Sequence, residues 1–595
     1  MKKDRVSVAG PPSAGIDGPR DGQPRGQAPM SDWELIVVLD PDAGVRSSPM
    51  GITSDRGVDV APLASLLEAE QIALEPLFGD PQRLPHTLRT PSPFPDGAVG
   101  MPDLTVFYRV DAPQARMDEL AERLRKQPTV AAAYVKPPAE LAHAALEETI
   151  ESVNTMLPDA QDAPAITPDF TSRQGYLDAA PGGIDARYAW TQAGGSGAGV
   201  RIIDLEWGWR FTHEDLLQNQ GGIVAGTGST DTNHGTAVLG EISGDRNALG
   251  VTGIAPDAVI SAVAFSMPTA TAIRNAADRL SPGDIMLLEI HRPGPRYNFA
   301  GRADQLGYIA VEWWPDDFAA IRYASSRGVI VVEAAGNGAE NLDDALYSTR
   351  PSGFPATWTN PFNRASPQCG AVLVGAGAPP PGTHGRDNGP DRSRLGFSNY
   401  GACIDAQGWG REVTSTGYGD LQGGTNADLW YTDQFSGTSS ASPIIVGTLA
   451  CVQGVLRARG RIPLSPARAR EVLRSTGSPQ QDAPGRPATQ RIGNRPDLRQ
   501  IIASVTATVA PWVGVQFRGT VPAGQTARWF TFNWPAHWHM VWTVVPTTVR
   551  PGAPQIKWNV QVERASDAYI TYWIDITNLS PQACDIEARY AVLGW

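Results

Sequence analysis

The segment between about residues 181 and 506 constrains the fold of this chain most. Six short apolar runs, "GVRIIDLE", "AVISAVAFS", "DIMLLEI", "VIVVEAAGNG", "CGAVLVGAG" and "ACIDAQGWG", alternate there with helical stretches. Continuous apolar runs are strands buried on both faces, and intervening helices are what cover them. The pattern therefore predicts an α/β fold with a parallel sheet flanked by helices. In such sheets the working residues sit at the carboxyl ends of strands and in the loops that follow.

The flanks read differently. Residues 1–30 start with a basic "MKKDR" but no apolar h-region follows, so they read as a disordered leader and not a signal peptide. Residues 31–138 combine "SDWELIVVLD", "LTVFYRV" and "VAAAYVKP" with a helix marked by Met117, Leu120 and Leu124, which predicts a small α+β domain. A second helical stretch, Ala139–Leu157, and a Pro- and Asp-rich linker fill 139–180. The α/β domain is assigned to 181–506. Residues 508–595 alternate with period two, Ile570, Tyr572, Ile574 and Ile576 sharing one face, and predict a Trp-rich β-sandwich. Core packing accounts for most of its tryptophans.

A net charge of −13 argues against nucleic acid or an anionic membrane surface as partner. No apolar run reaches the roughly 18 residues of a membrane span. Four cysteines, Cys369, Cys403, Cys451 and Cys584, are too few and scattered for a disulfide framework or a zinc site. With no signal peptide in view, the localisation leans towards the cytoplasm.

Three segments carry chemistry. "GVRIIDLEWGW" ends an apolar run at Asp204, "DTNHGTAVLGEISG" sets His234 at the head of an apolar helix, and "FSGTSSASPIIVGTLACVQGVL" sets Ser439 at the head of another. Singly, each residue reads as a cap, turn or structural side chain. Jointly they supply a nucleophile, a base that activates it, and a carboxylate that orients the base. A helix N-terminus adds positive charge where an oxyanion forms.

These words, in this order, resemble the subtilisin-like serine peptidases. "HGTAVLGEI" resembles the histidine motif of that family, "SGTSSASP" its serine motif, and "VIVVEAAGNG" the strand that delivers an oxyanion asparagine, here Asn337. "GVTGIAPDA" and "FSNYGACIDAQGWG" resemble two further segments. The resemblance implies a subtilisin-like fold and a serine endopeptidase acting on protein or peptide through an acyl-enzyme. Asp204, His234 and Ser439 would form its triad, with Asn337 and the Ser439 N–H as the oxyanion hole. Ser440, about 100° further round the helix, should face elsewhere.

The resemblance also implies substrate-binding roles for Glu289, Ile290, His291 and Gly336. The family carries Ser-Leu-Gly where this chain has Glu289, Ile290 and His291. A carboxylate there would favour basic substrate side chains or pair internally with Arg292. Glu333, before Asn337, is expected to make a structural pair. Residues 31–138 resemble a prodomain whose trailing chain passes the cleft and is cut within 138–180; a permanent accessory domain is the alternative. Cys369 and Cys403 precede strands that are neighbours in the family, leaving a disulfide or two buried thiols. No metal site or required cofactor is assigned; structural calcium is common in the family, but no acidic loop singles out ligands. The alternative functions are an inactive subtilase-fold binding or adaptor protein and a protease restricted to one partner protein.

Overall fold

The computed structural model describes residues 32–48, 51–79, 102–143, 163–507, 512–536, 538–566 and 569–593. The leader expected over 1–30 lies outside them.

Among its described residues the N-terminal region holds a small hairpin, Val45–Ser48 with Gly51–Ser54, and a four-stranded antiparallel sheet with two helices. In chain order these are β1 (Glu34–Leu39), α1 (Ala61–Glu70), β2 (Glu75–Pro76), β3 (Phe107–Val110), α2 (Gln114–Arg125) and β4 (Val130–Lys136), with strand order β2-β3-β1-β4. Period-two alternation gives β1 two buried faces. Leu35, Val37 and Leu39 pack with Leu63, Leu66, Met117, Leu120 and Leu124 of the helices. Ile36 and Val38 point the other way, into an apolar cluster that continues into the α/β domain.

Next comes β5 (Glu140–Leu141), where the periodicity had suggested the start of a helix over Ala139–Leu157. Residues 144–157 of that stretch lie outside the described residues. Pro137 and Pro138 explain the first part. Pro138 holds the preceding residue extended, and the segment leaves the turn as a strand.

The α/β domain follows: β6 (Arg201–Glu206), β7 (Gln220–Ala225), α3 (Asn233–Ser243), β8 (Val259–Ala264), α4 (Thr269–Ala277), β9 (Ile285–Leu288), β10 (Ile290–Pro293), β11 (Tyr308–Ala310), α5 (Pro315–Ser326), β12 (Ile330–Ala334), β13 (Val372–Gly377), β14 (Ala406–Trp409) and α6 (Thr438–Ala458). Seven of these strands form one parallel sheet in the order β14-β13-β12-β9-β6-β8-β7, as the apolar runs predicted. Strands β11, β10 and β5 make a separate three-stranded antiparallel sheet. By length and composition α6 would suit a bilayer, contrary to the reading of the apolar runs, yet it is wholly buried in the protein core.

The N-terminal sheet rests on α4 and α5. Ile36, Val38, Phe107 and Tyr134 share an apolar cluster with Ala272, Ala276 and Ala320. Thr271 Oγ1 donates to Leu77 O (2.6 Å) and Arg274 Nη1 to Phe78 O (3.0 Å). Lys136 is fully buried against Asp316 (2.5 Å), Asp317 (3.1 Å) and Glu34 (3.4 Å).

The C-terminal region has six strands in two antiparallel three-stranded sheets: β15 (Trp512–Val521), β16 (Thr526–Pro535), β17 (Met540–Pro546), β18 (Ile556–Glu563), β19 (Tyr569–Asn578) and β20 (Cys584–Val592), ordered β15-β20-β17 and β16-β19-β18. Trp534 and Trp542 lie in the core between the sheets with Ile574, Ile576 and Ile586. All four cysteines are buried and free, and Cys369 Sγ donates to Glu312 Oε2 at 2.6 Å. The geometry thus selects buried thiols over a Cys369–Cys403 disulfide.

Candidate active site

Ser439 enters through the start of α6. Gly437 precedes it with φ 111°, a conformation a side chain would strain, and Pro443 lies inside the helix, where it removes the N–H that would bond Ser439 O. Ser439 Oγ lies 2.9 Å from His234 Nε2. Ser440 faces elsewhere, as its position on the helix predicted: its Oγ donates to Trp409 O at 3.0 Å. His234 sits near the head of α3, buried and edge-on to Phe435 (5.3 Å between ring centres).

The carboxylate on His234 is not the expected one. His234 Nδ1 bonds Glu206 Oε2 at 2.9 Å, whereas Asp204 Oδ2 accepts from Trp209 Nε1 at 2.7 Å. Asp204 and Glu206 are two apart on β6, so both point to the same face of the sheet, towards α3 and α6. Only the residue at the strand end reaches the histidine. Asp204 Oδ1 and Glu206 Oε1 are buried without another partner. A proton on Asp204, donated to Glu206, satisfies both. Burial and the nearby Glu206 charge hold the Asp204 carboxyl well above its ordinary range, which favours its protonated form. Burial likewise pushes Glu206 up to about 8, against the lowering effect of the Asp204 bond, and drives His234 down to about 4.

Asn337 follows the end of β12, beside the nucleophile. Its Oδ1 accepts from Thr438 N (3.0 Å) and Thr438 Oγ1 (2.9 Å), which fixes the amide with Nδ2 pointing to Gln305 Oε1 (3.3 Å). Gly336 precedes it at φ 97°.

The cleft is filled by the chain itself. Strand β5 pairs antiparallel with β10, Leu141 opposite Ile290 and Glu140 opposite His291, and Ala142 N donates to Glu289 O. Gln305 Nε2 holds Leu141 O at 3.1 Å. Ala142 O then accepts from Ser439 Oγ at 2.7 Å and from Ser439 N at 3.3 Å. The latter is one of the orphan N–H groups at the head of α6. Beyond it, His143 stacks near Tyr418 (5.5 Å) and Phe435 (6.1 Å), and its Nδ1 lies 3.1 Å from Ser436 O. A cavity of about 180 Å³ opens beside it, lined by Tyr418, Asp420, Thr432 and Gln434.

The expected substrate residues divide. Ile290 and His291 pair with the bound segment through their backbones, and Gly336 lines the turn beside it. Glu289 contributes its carbonyl, but its side chain is wholly buried and accepts from Ser442 Oγ at 2.8 Å. It meets neither a basic group in the cleft nor Arg292, which bonds Thr269, Pro137 O and Glu34 instead. Burial raises the Glu289 carboxyl well above its ordinary range. Glu333 accepts the Glu312 N–H (3.0 Å), a backbone bond in place of the expected structural pair.

Two features escaped the sequence: Glu206, and the pair Gln305 and Tyr308 that grips the bound segment. Strand parity alone placed Glu206 on the same face as Asp204, which was the available signal for the first.

A serine, a histidine and a carboxylate joined at the carboxyl ends of a parallel sheet define the class, an α/β serine hydrolase. The sequence profile of the Subtilase family matches residues 222–494. Subtilisin BL of Lederbergia lenta is 30% identical over 268 residues, 43% of this chain and 77% of its own. Thermitase of Thermoactinomyces vulgaris is 29% identical over 307 residues, 49% of this chain and 85% of its own. Among solved structures, fervidolysin from Fervidobacterium pennivorans superposes with a TM-score of 0.47 and 15% identity, covering 92% of this chain and 69% of that one. The chain belongs to the subtilase family and is a serine endopeptidase.

Proposed function

We propose that this endopeptidase works through Ser439, His234 and Glu206, and that its first substrate is its own Ala142–His143 bond. The observation that carries the reading is the unbroken contact chain Glu206–His234–Ser439–Ala142 O, with links of 2.9, 2.9 and 2.7 Å.

Ser439 Oγ attacks the Ala142 carbonyl carbon while His234 Nε2 takes its proton. Glu206 holds the Nδ1 proton and stabilises the imidazolium. The negative charge that develops on the Ala142 oxygen is met by the Ser439 N–H and by Asn337 Nδ2, released from Gln305. The C–N bond then breaks, the proton passes from His234 to the His143 nitrogen, and water hydrolyses the acyl-enzyme. The N-terminal domain stays bound through Lys136 and the α4–α5 contact, as a prodomain that occupies the cleft until it leaves. The intact contact chain counts against an inactive binding module.

A fluorophosphonate probe tests the nucleophile. Processed protein should label on Ser439, and Ser439→Ala should not label at all. Labelling that persists in Ser439→Ala would overturn the assignment.

A further inference from the structure

The bound segment makes the cleft readable one side chain at a time, and His291 is the residue that changes its shape. In the pairing of β5 with β10, Glu140 lies opposite His291 and Ala142 opposite Glu289. Side chains directly opposite in an antiparallel pair share a face, and so do residues two apart. Ala142, Glu140, Glu289 and His291 therefore project to the same side, where the Glu289 carboxyl accepts from Ser442 Oγ. Tyr308, on β11 opposite Pro293, joins them there.

That side is full. His291 Nδ1 accepts from Asn337 N (3.2 Å), which seats the imidazole on the Gly336–Asn337 turn beside the nucleophile. Tyr308 packs on it with ring centres 4.7 Å apart. Asn399 closes the floor by donating to Tyr308 O (2.8 Å) and Ala335 O (2.7 Å). His291, Tyr308, Asn399 and Ala142 are each 0% exposed. Even a single Cβ at Gly336 would meet Asn399 Nδ2 at 2.8 Å and His291 Nδ1 at 3.4 Å. Two residues upstream the same face is polar, with Tyr308 Oη donating to Glu140 Oε1 at 2.7 Å.

We propose that His291, backed by Tyr308 and Asn399, fills the pocket for the side chain preceding the cleaved bond and limits it to Ala or Gly, while Tyr308 selects a carboxylate two residues earlier. The substrate class is peptide of the form Glu-x-Ala, cut after the Ala. The proposal rests on the self-processing reading. It extends that reading from one internal bond to the substrates the released enzyme accepts.

The test has two arms. In the first, processed enzyme is given peptides spanning residues 137–146 with position 142 as Ala, Gly, Leu or Phe. Ala and Gly peptides should be cut at rates within about tenfold, and Leu and Phe peptides at least ~100-fold more slowly. His291→Gly should speed cleavage of the Phe peptide at least ~10-fold. Equal cleavage of Phe and Ala peptides by wild type would overturn the proposal.

The second arm needs no activity. In full-length Ser439→Ala, hydrogen exchange of the residue 140–142 amides should be slow. Ala142→Phe should make it fast, and adding His291→Gly should slow it again. Exchange unchanged by Ala142→Phe overturns the pocket assignment. A chain that neither processes itself nor cuts any peptide sinks the self-processing reading, and the exchange arm still decides the pocket.

Discussion

Exchanging the two carboxylates of β6 for amides separates their roles. Glu206 Oε2 sits 2.9 Å from His234 Nδ1, and Asp204 sits behind it on Trp209. In Glu206→Gln the amide NH₂ can face Nδ1. Nδ1 then becomes the acceptor and the ring proton moves to Nε2, where it faces Ser439 Oγ and blocks proton transfer. Loss of the carboxylate that sets the tautomer costs about 10⁴ in rate, or about 5.4 kcal/mol of barrier. Asp204→Asn keeps an oxygen for Trp209 and an N–H for Glu206, and should cost less than about tenfold. The assay is the first-order loss of the 63.4 kDa chain by intact mass, with thermal melting as a control for folding. If Asp204→Asn lost about 10⁴ and Glu206→Gln were nearly normal, the assignment of Glu206 would be refuted.

Three further outcomes follow from the buried charges. Burial pushes Glu206 up to about 8, so below that pH the Glu206–His234 pair carries one proton too many for base catalysis. Processing should accelerate about tenfold per pH unit up to about pH 8 and then level; a rate already flat from pH 6 would contradict this. Asp215 is raised to about 8 by burial, and burial also raises Glu241, Glu289 and Glu333 well above the ordinary carboxyl range. A carboxyl whose folded pKa exceeds its unfolded value of about 4 binds more protons when folded, so stability is full below pH 4 to 5 and falls as pH rises through 8. The melting temperature of Ser439→Ala should be higher at pH 5 than at pH 8, and Asp215→Asn should flatten the slope; the opposite order would contradict it. Lys136→Met leaves Asp316 and Asp317 buried without their shared ammonium, a loss of about 3–5 kcal/mol. It should weaken retention of the cleaved N-terminal domain at least ~100-fold, measured by its dissociation constant; unchanged retention would contradict the role given to Lys136.

Much of this was legible in residues. The apolar runs ending near Glu206, Leu288, Ala334 and Gly377 became the central parallel strands, because a strand buried on both faces cannot hide its pattern. His234 and Ser439 stood out because each opens an apolar helix in a Gly-rich setting, and their contact at 2.9 Å agrees. The acid partner was less legible. Two carboxylates with period-two spacing look alike in sequence, and only the distance to the strand end separates them. The first residues after Pro138 depart from the expected helix for a related reason. "AELAHAALEETI" has good helix formers, but Glu140 and Leu141 take their conformation from pairing with Ile290 and His291, about 150 residues away. The side chain of Glu289 could not be read from its neighbours either. Its partner, Ser442, comes from α6 across the core.

Self-processing requires that this chain place its own Ala142–His143 bond on its own nucleophile. The most direct measurement is intact mass with N-terminal sequencing of freshly expressed wild type beside Ser439→Ala. Wild type should yield a fragment beginning at His143, and Ser439→Ala should remain uncut at that bond. An uncut wild type, or the same cut in Ser439→Ala, would contradict the account.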